Sequence, residues 1–254
     1  MAGTLPYSLG DKLCLVTGGG TGIGRAIATC LVESGARVVI TGRRRAPLEE
    51  VRGELGEAIV PRVHDIADLS SIPDLLESLE RELGPIDTVV NNAGVHQKKS
   101  SFEVSDEDLE TVLLTNTRAV FALTREAAGR MAKRGGGSIQ IISSMAALFG
   151  IPYVASYTMS KSAVAGLVRE LAVEWGPYGI RVNAIAPGFI RTEMSGKALD
   201  NDPERKAKVL GRTPLNRLGL PAEIGWAAAF LASDAASFIN GVTLPVDGGA
   251  AVGF

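Results

Sequence analysis

Five stretches of this chain are apolar almost without interruption: "KLCLV", "ARVVI", "DTVVN", "GSIQIIS" and "IRVNAIAP". A strand with one solvated face alternates polar and apolar residues. Continuous apolar runs suit parallel strands covered on both faces. Helical patterns separate them, over Gly22–Ser34, Pro47–Leu55, Ser71–Leu83, Asp106–Arg134 and Ser156–Trp175. Strand and helix alternate throughout, which predicts an α/β fold: a doubly wound parallel sheet of the Rossmann type with right-handed crossovers. "SDED" at Ser105–Asp108 has capping-box spacing and starts a helix at Asp106. "LPAEIGWAAAFLAS" reads as a last helix with Pro221 near its start, and "TLPV" from Thr243 as a final strand. No repeat, linker or low-complexity tract interrupts the pattern, so residues 1–254 read as a single domain. The one long irregular segment, Phe189 to Leu220, is polar and charged and reads as a mobile substrate lid.

The first run ends in "TGGGTGIG", Thr17 to Gly24, and feeds a helix. Glycine inside an element costs about 0.5–1 kcal/mol relative to alanine. A strand that ends in glycines before a helix can bring bare backbone, and the helix N-terminus, against a phosphate. The spacing is T-G-x-x-x-G-x-G, carried by Thr17, Gly18, Thr21, Gly22, Ile23 and Gly24. A tight strand–helix turn without a ligand is the alternative for this motif taken alone.

Composition excludes several other functions. The net charge of -2 favours neither nucleic acid nor an anionic membrane. No apolar stretch is long enough to span a bilayer, and "MAGTLPYSLGDK" has no signal-peptide core. Cys14 and Cys30 fall in apolar patterns and read as reduced core thiols, which fits a cytoplasmic protein. His64 and His96 have no neighbours at metal-ligand spacing, so no metal site is expected. There is no G-x-S-x-G elbow.

"NNAG" (Asn91–Gly94) directly follows "DTVVN", and "SYTMSK" spans Ser156–Lys161. Together with the glycine turn they resemble the short-chain dehydrogenase/reductase family, from Lys12 to the closing "GVTLPVDGGA". The resemblance implies a catalytic tetrad: Tyr157 and Lys161 as Y-x-x-x-K, Ser144 thirteen residues before the tyrosine, and Asn116 in "LLTNTRA". It implies that the dinucleotide meets the glycine turn, Asp65 and Ile66 at the adenine, Asn92, Ala93 and Gly94, Tyr157 and Lys161, and Pro187, Gly188, Ile190 and Thr192 near the nicotinamide. It implies that Lys161 reaches the ribose and that Asn116 anchors a water chain returning protons to Lys161. It also implies a homotetramer built on two long helices and the C-terminal strand. Apolar residues on nearly all sides of those helices agree: Ala163, Val164, Leu167, Val168, Leu171 and Val173 on one, Val120, Phe121 and Met131 on the other.

Four residues apart on a helix, Tyr157 and Lys161 share a face. An ammonium roughly 5 Å from the phenol, at an effective dielectric of ~20, favours the phenolate by about 3 kcal/mol. That lowers the tyrosine pKa by about two units, towards a working proton exchanger. Ser144 would hold the oxygen that Tyr157 protonates or deprotonates, while hydride moves between substrate and nicotinamide. A cofactor-binding sensor on the same fold is the non-catalytic alternative; such a protein could lose Tyr157 or Lys161, and this chain has both.

The second run ends "VVITGRRRA". A carboxylate there would grip the ribose 2′-hydroxyl of NAD, but the position holds Gly42, followed by Arg43, Arg44 and Arg45. Arginine suits a 2′-phosphate, so NADP(H) is expected over NAD(H), with Arg43 as the contact. Thr21 departs from the basic residue many NADP-using relatives carry there, and the alternative is three solvated arginines. The stretches "NNAGVHQKKSSFEVSDEDL" and "TEMSGKALDNDPERKAKVLGRTPLNRLGLPAEI" resemble the gluconate 5-dehydrogenase and sugar-acid dehydrogenase branch. Gln97, Lys98 and Lys99, with Arg191, Glu193 and Lys197 in the lid, would make a polar, partly cationic rim suited to a hydroxylated carboxylate. Both lysines could instead face water. A 3-oxoacyl-(acyl carrier protein) reductase is the alternative enzyme.

Overall fold

A computed structural model describes residues 6–192 and 199–253. Its seven strands are β1 (Leu13–Thr17), β2 (Arg37–Gly42), β3 (Ile59–Val63), β4 (Thr88–Asn91), β5 (Gly137–Ile142), β6 (Ile180–Pro187) and β7 (Thr243–Val246). They form one all-parallel sheet in the order β3-β2-β1-β4-β5-β6-β7. Its helices are α1 (Gly22–Glu33), α2 (Arg45–Leu55), α3 (Ile72–Leu83), α4 (Asp106–Leu113), α5 (Ala119–Ala132), α6 (Ala155–Trp175), α7 (Pro203–Arg212) and α8 (Pro221–Ala232).

The continuous apolar runs are explained by two cores. In β1, Leu13 and Leu15 join a cluster with α3, α5 and α6, while Cys14 and Val16 point the other way, into a cluster with α1, α2 and α8. Each fully buried Leu, Ile or Val contributes about 1.5–3 kcal/mol of transfer free energy. A polar residue at any position from Leu13 to Val16 would therefore cost one core or the other. Chain order reverses between β1 and β4, and this opens a crevice at the carboxyl ends of the strands.

Three local features depart from the sequence reading. The helix expected from Asp106 to Arg134 starts at its capping box as predicted, but a π-helical turn over Leu114–Arg118 divides it into α4 and α5. The strand β3 was not expected. It carries Pro61, which an edge strand tolerates because one of its sides needs no ladder bond. The segment from Phe189 to Leu220 is not irregular throughout: Asp202 caps α7 by accepting from Arg205 N at 2.9 Å. Only Val209 of α7 is buried, so the helix lacks an apolar stripe. Both ends of the segment are pinned, since Arg191 N donates to Gly219 O at 2.8 Å and Gly219 N to Phe189 O at 2.9 Å. Glu193 and Lys197 lie outside the described residues.

Candidate active site

The turn after β1 needs glycine for two physical reasons. Gly22 has φ +55°, a conformation that side chains disfavour. At Gly24 the obstacle is steric: a Cβ would overlap the Gly18 carbonyl oxygen and the Asn92 amide. That amide ties β4 to β1, because Asn92 Nδ2 donates to Thr17 O at 2.9 Å and to Gly18 O at 3.2 Å. Thr17 Oγ1 accepts from the backbone N–H of Asn92 and of Ala93, each at 3.0 Å. The two strand ends beside the topological reversal thus become one rigid floor. Thr21 makes no side-chain cap to α1, and no acidic residue occupies the first turn. A bare cradle facing a helix N-terminus fits the pyrophosphate of a dinucleotide.

The other expected cofactor residues lie along the same carboxyl edge. Arg43 is exposed just after β2, and Gly42 leaves no carboxylate there. Asp65 follows β3 and accepts from Ala67 N at 3.0 Å, while Ile66 beside it is buried. Pro187 and Gly188 end β6, where Gly188 N donates to Val246 O at 3.0 Å. The chain then runs through Ile190 back over the glycine turn, so that a Cβ on Gly22 would stand 3.6 Å from the Thr192 methyl. Arg45 is drawn away from this edge by Glu49, at 3.5 Å.

The four tetrad candidates converge near the ends of β4 and β5. Ser144 lies two residues past the close of β5 and accepts from Ala146 N at 3.1 Å. The Ser144 side chain stands beside the Tyr157 hydroxyl and favours its ionised form. One turn along α6, Lys161 is buried, with Nζ 5.6 Å from the Tyr157 ring centroid and donating to Ile142 O at 2.7 Å. Asn116, fully buried, sits in the π-turn. Its Nδ2 donates to Val95 O at 2.9 Å and to Ser160 Oγ at 3.1 Å, and its Oδ1 accepts from Val95 N at 2.8 Å. Both amide protons are therefore engaged by protein. The expected water anchor is, in its side chain, a clamp on the segment after β4 that passes the site. The extra residue of the π-turn is what turns that side chain inward.

The electrostatics correct a second expectation. Lys161 was expected to lower the Tyr157 pKa. Instead burial pushes the phenol up, and the Ser144 hydrogen bond only partly offsets that. Burial also lowers Lys161, to about 8. Desolvation penalises both charged forms, and it outweighs an ammonium whose nearest acceptor is a backbone carbonyl. Both shifts favour the uncharged forms, and of the two groups Lys161 loses its proton first.

The polar rim is also smaller than expected. Lys98 is exposed, but Lys99 is held by Asp108 at 2.7 Å, and that pair keeps the Asp108 carboxyl at about 2. Gln97 Oε1 accepts from Ser156 Oγ at 3.3 Å. Sequence reasoning missed Ser160, whose Oγ links Asn116 to the Tyr157 carbonyl. It also missed the place of His96, whose ring lies against Tyr157; the only signal was its position two residues past "NNAG". Among the described residues, no group of three or more His, Cys, Asp or Glu could hold a metal, and no helix is long and apolar enough to cross a membrane.

Residues 18–251 match a family model described as enoyl-(acyl carrier protein) reductase. The chain is 37% identical over 249 residues to the gluconate 5-dehydrogenase of Gluconobacter oxydans, covering 97% of each chain. It is 38% identical over 242 residues to a 3-oxoacyl-(acyl-carrier-protein) reductase of Salmonella typhimurium, covering 95% of this chain and 98% of that one. Among solved structures, a gluconate 5-dehydrogenase from Burkholderia cenocepacia in complex with NADP and tartrate is 34% identical. It covers 98% of both chains with a TM-score of 0.92.

Proposed function

This chain belongs to the short-chain dehydrogenase/reductase family, and from that premise we propose that it interconverts a secondary alcohol and a ketone on a sugar acid or polyol, using NADP(H). The observation that carries the chemistry is the Tyr157 hydroxyl on Ser144, with Lys161 one turn away, beside a cradle that only bare backbone can form. When bound, the nicotinamide would supply or accept the hydride. The chain supplies the rest. Ser144 orients the substrate oxygen, and Tyr157 donates a proton to it in reduction or takes one in oxidation. Lys161 holds the exchangeable proton behind Tyr157, and Asn116 fixes the segment that walls the site. Residues 1–254 act as one catalytic domain. The segment 189–220, pinned at its base and carrying α7, serves as the lid.

The relatives support the substrate class, and so does the exposed Lys98 at the carboxyl edge. Supplied with NADPH, the enzyme should show a greater kcat/KM on 5-keto-gluconate than on an acetoacetyl thioester. Lys98→Ala should raise the KM for the keto acid about fivefold, the scale of an exposed ion pair, and leave that for an uncharged ketone unchanged. Lys99, bound to Asp108, contributes less. The Salmonella relative favours 3-oxoacyl-thioester reduction as the second reading, and efficient thioester turnover without sugar-acid turnover would establish it. Binding of NADPH with no ketone reduced would instead identify a sensor.

Arg43 and Arg44 are exposed beyond Gly42, where no carboxylate opposes a 2′-phosphate. A charge-assisted contact of ~1.5–3 kcal/mol gives NADPH a preference of roughly ten- to a hundredfold. Titration with both cofactors tests this, and equal NADH affinity would sink it. Arg43→Ala should erase most of the difference.

A homotetramer is the assembly proposed. Val120, Met131, Val164, Val168 and Leu171 turn out to face the sheet, but Val173 is 78% exposed, Met159 46% and Phe121 38%. These three leave an apolar strip along α5 and α6 that association would cover. Light scattering at micromolar concentration should give four times the chain mass, 26.5 kDa; a monomer would refute it. Two free, buried thiols suit a reducing compartment, and we place the enzyme in the cytoplasm.

A further inference from the structure

Tyr157 is only half-buried, so its ring is not locked by core packing alone. A tyrosine ring swings on two soft torsions, and its hydroxyl must stay on one line between Ser144 and the substrate oxygen. The structure supplies a brace. The His96 and Tyr157 ring centroids lie 4.8 Å apart at an interplanar angle of 57°. This tilted geometry is one that aromatic pairs favour.

His96 is itself held on both sides. Before it, Val95 is clamped at N and O by Asn116. After it, Gln97 accepts from Ser156 at 3.3 Å, and Lys99 N donates to Tyr153 O at 2.8 Å. Tyr153 and Ser156 lie four and one residues before Tyr157. The segment that carries the brace is therefore stitched to the start of α6, which carries the tyrosine. Burial, then the positive charges of Arg205 and Lys98, hold His96 below its ordinary pKa. At neutral pH its ring is uncharged and adds no second cation beside Lys161.

We propose that His96 is a positioning residue for Tyr157: its ring holds the tyrosine ring in the orientation that keeps the hydroxyl on Ser144 and aimed at the substrate oxygen. The inference rests on the reading of Tyr157 as proton exchanger. It predicts that the shape of the ring matters and its nitrogens do not.

The test compares His96→Ala and His96→Phe with wild type and Tyr157→Phe. NADPH reduces whichever ketone the wild type turns over best, and kcat is normalised to NADPH sites titrated by fluorescence, so misfolded protein does not count. An aromatic contact of this kind biases a ring orientation by roughly three- to tenfold. His96→Ala should therefore lose that factor in kcat, while the substrate KM and the NADPH Kd change less than twofold. His96→Phe, which restores a ring, should recover kcat. An unchanged kcat in His96→Ala would overturn the proposal. So would a His96→Phe variant as slow as His96→Ala, because the imidazole nitrogens would then be the working groups. A rise confined to KM would assign His96 to substrate binding instead. Failure of the underlying reading looks different: no turnover in wild type, or turnover retained in Tyr157→Phe.

Discussion

Tyr157→Phe should bind NADPH with wild-type affinity and lose at least about 10²–10⁴ in kcat, the range that general acid–base catalysis supplies. The substitution removes one oxygen. It leaves the ring on His96 and the Lys161 bond to Ile142 in place. Loss of turnover without loss of fold or cofactor binding is therefore the expected pattern, and a variant keeping most of its kcat would remove Tyr157 from the mechanism. The companion variant is Lys161→Ala. In wild type the first proton to leave the buried pair is that of Lys161, at about 8. Once it has gone, the neutral Lys161 amine can take up the proton that Tyr157 releases as Tyr157 accepts one from the alcohol, so the singly deprotonated pair contains the base that alcohol oxidation needs. Oxidation should therefore rise as pH passes through about 8, and ketone reduction should fall. Without Lys161, the rise must wait for Tyr157 alone, which burial has already pushed above the ordinary tyrosine range. The oxidation profile of Lys161→Ala should move to higher pH; a midpoint still near 8 would show that another group titrates.

The direction of those shifts was not readable from the sequence, and the reason is physical. The i, i+4 spacing of Tyr157 and Lys161 reports a shared helix face, and from that alone Coulomb attraction predicts a lowered tyrosine. Desolvation belongs to the packed molecule: it depends on Ile142, Gly94 and Asn116 closing around the amine. The π-turn was hidden for a similar reason. Apolar residues recur through "LETVLLTNTRAVFAL" closely enough to helical period that one inserted residue leaves no mark. Its cause is a set of hydrogen bonds from Asn116 to Val95 and Ser160, 21 and 44 residues away. The helix α7 escaped notice because, with Val209 its one buried residue, it has no stripe to detect. Lys99 was read as a free cation, although its partner Asp108 was in view as the capping residue of α4, because a capping box does not reveal what else its carboxylate holds. By contrast, the central strands and the glycine turn were legible. In β1, burial on both faces forces Leu13 to Val16 to be apolar, and close backbone approach forces glycine in the turn that follows. Both are constraints on single residues, and a sequence records those directly.

The glycine turn offers the second large effect. Gly24→Ala adds one methyl group, which would overlap the Gly18 carbonyl and the Asn92 amide. Neither can yield cheaply. Gly18 is backbone in the phosphate turn, and the Asn92 amide is the bond that joins β4 to β1. Relief requires α1 to move off the turn or Asn92 to release Thr17 and Gly18. Either movement spoils the cradle, and lost hydrogen bonds at a buried junction cost about 1–3 kcal/mol each. We expect NADPH affinity to fall at least about a hundredfold, with a lowered Tm. Gly53→Ala is the control. It lies exposed in α2, and nothing stands within 4 Å of the added Cβ. There alanine should stabilise by up to about 1 kcal/mol through helix propensity and leave cofactor binding alone. Isothermal titration with NADPH and thermal melts on both variants separate steric exclusion at the turn from a general intolerance of glycine replacement. If Gly24→Ala binds NADPH as tightly as Gly53→Ala, the glycines of this turn serve the fold alone, and the cradle assignment fails with them.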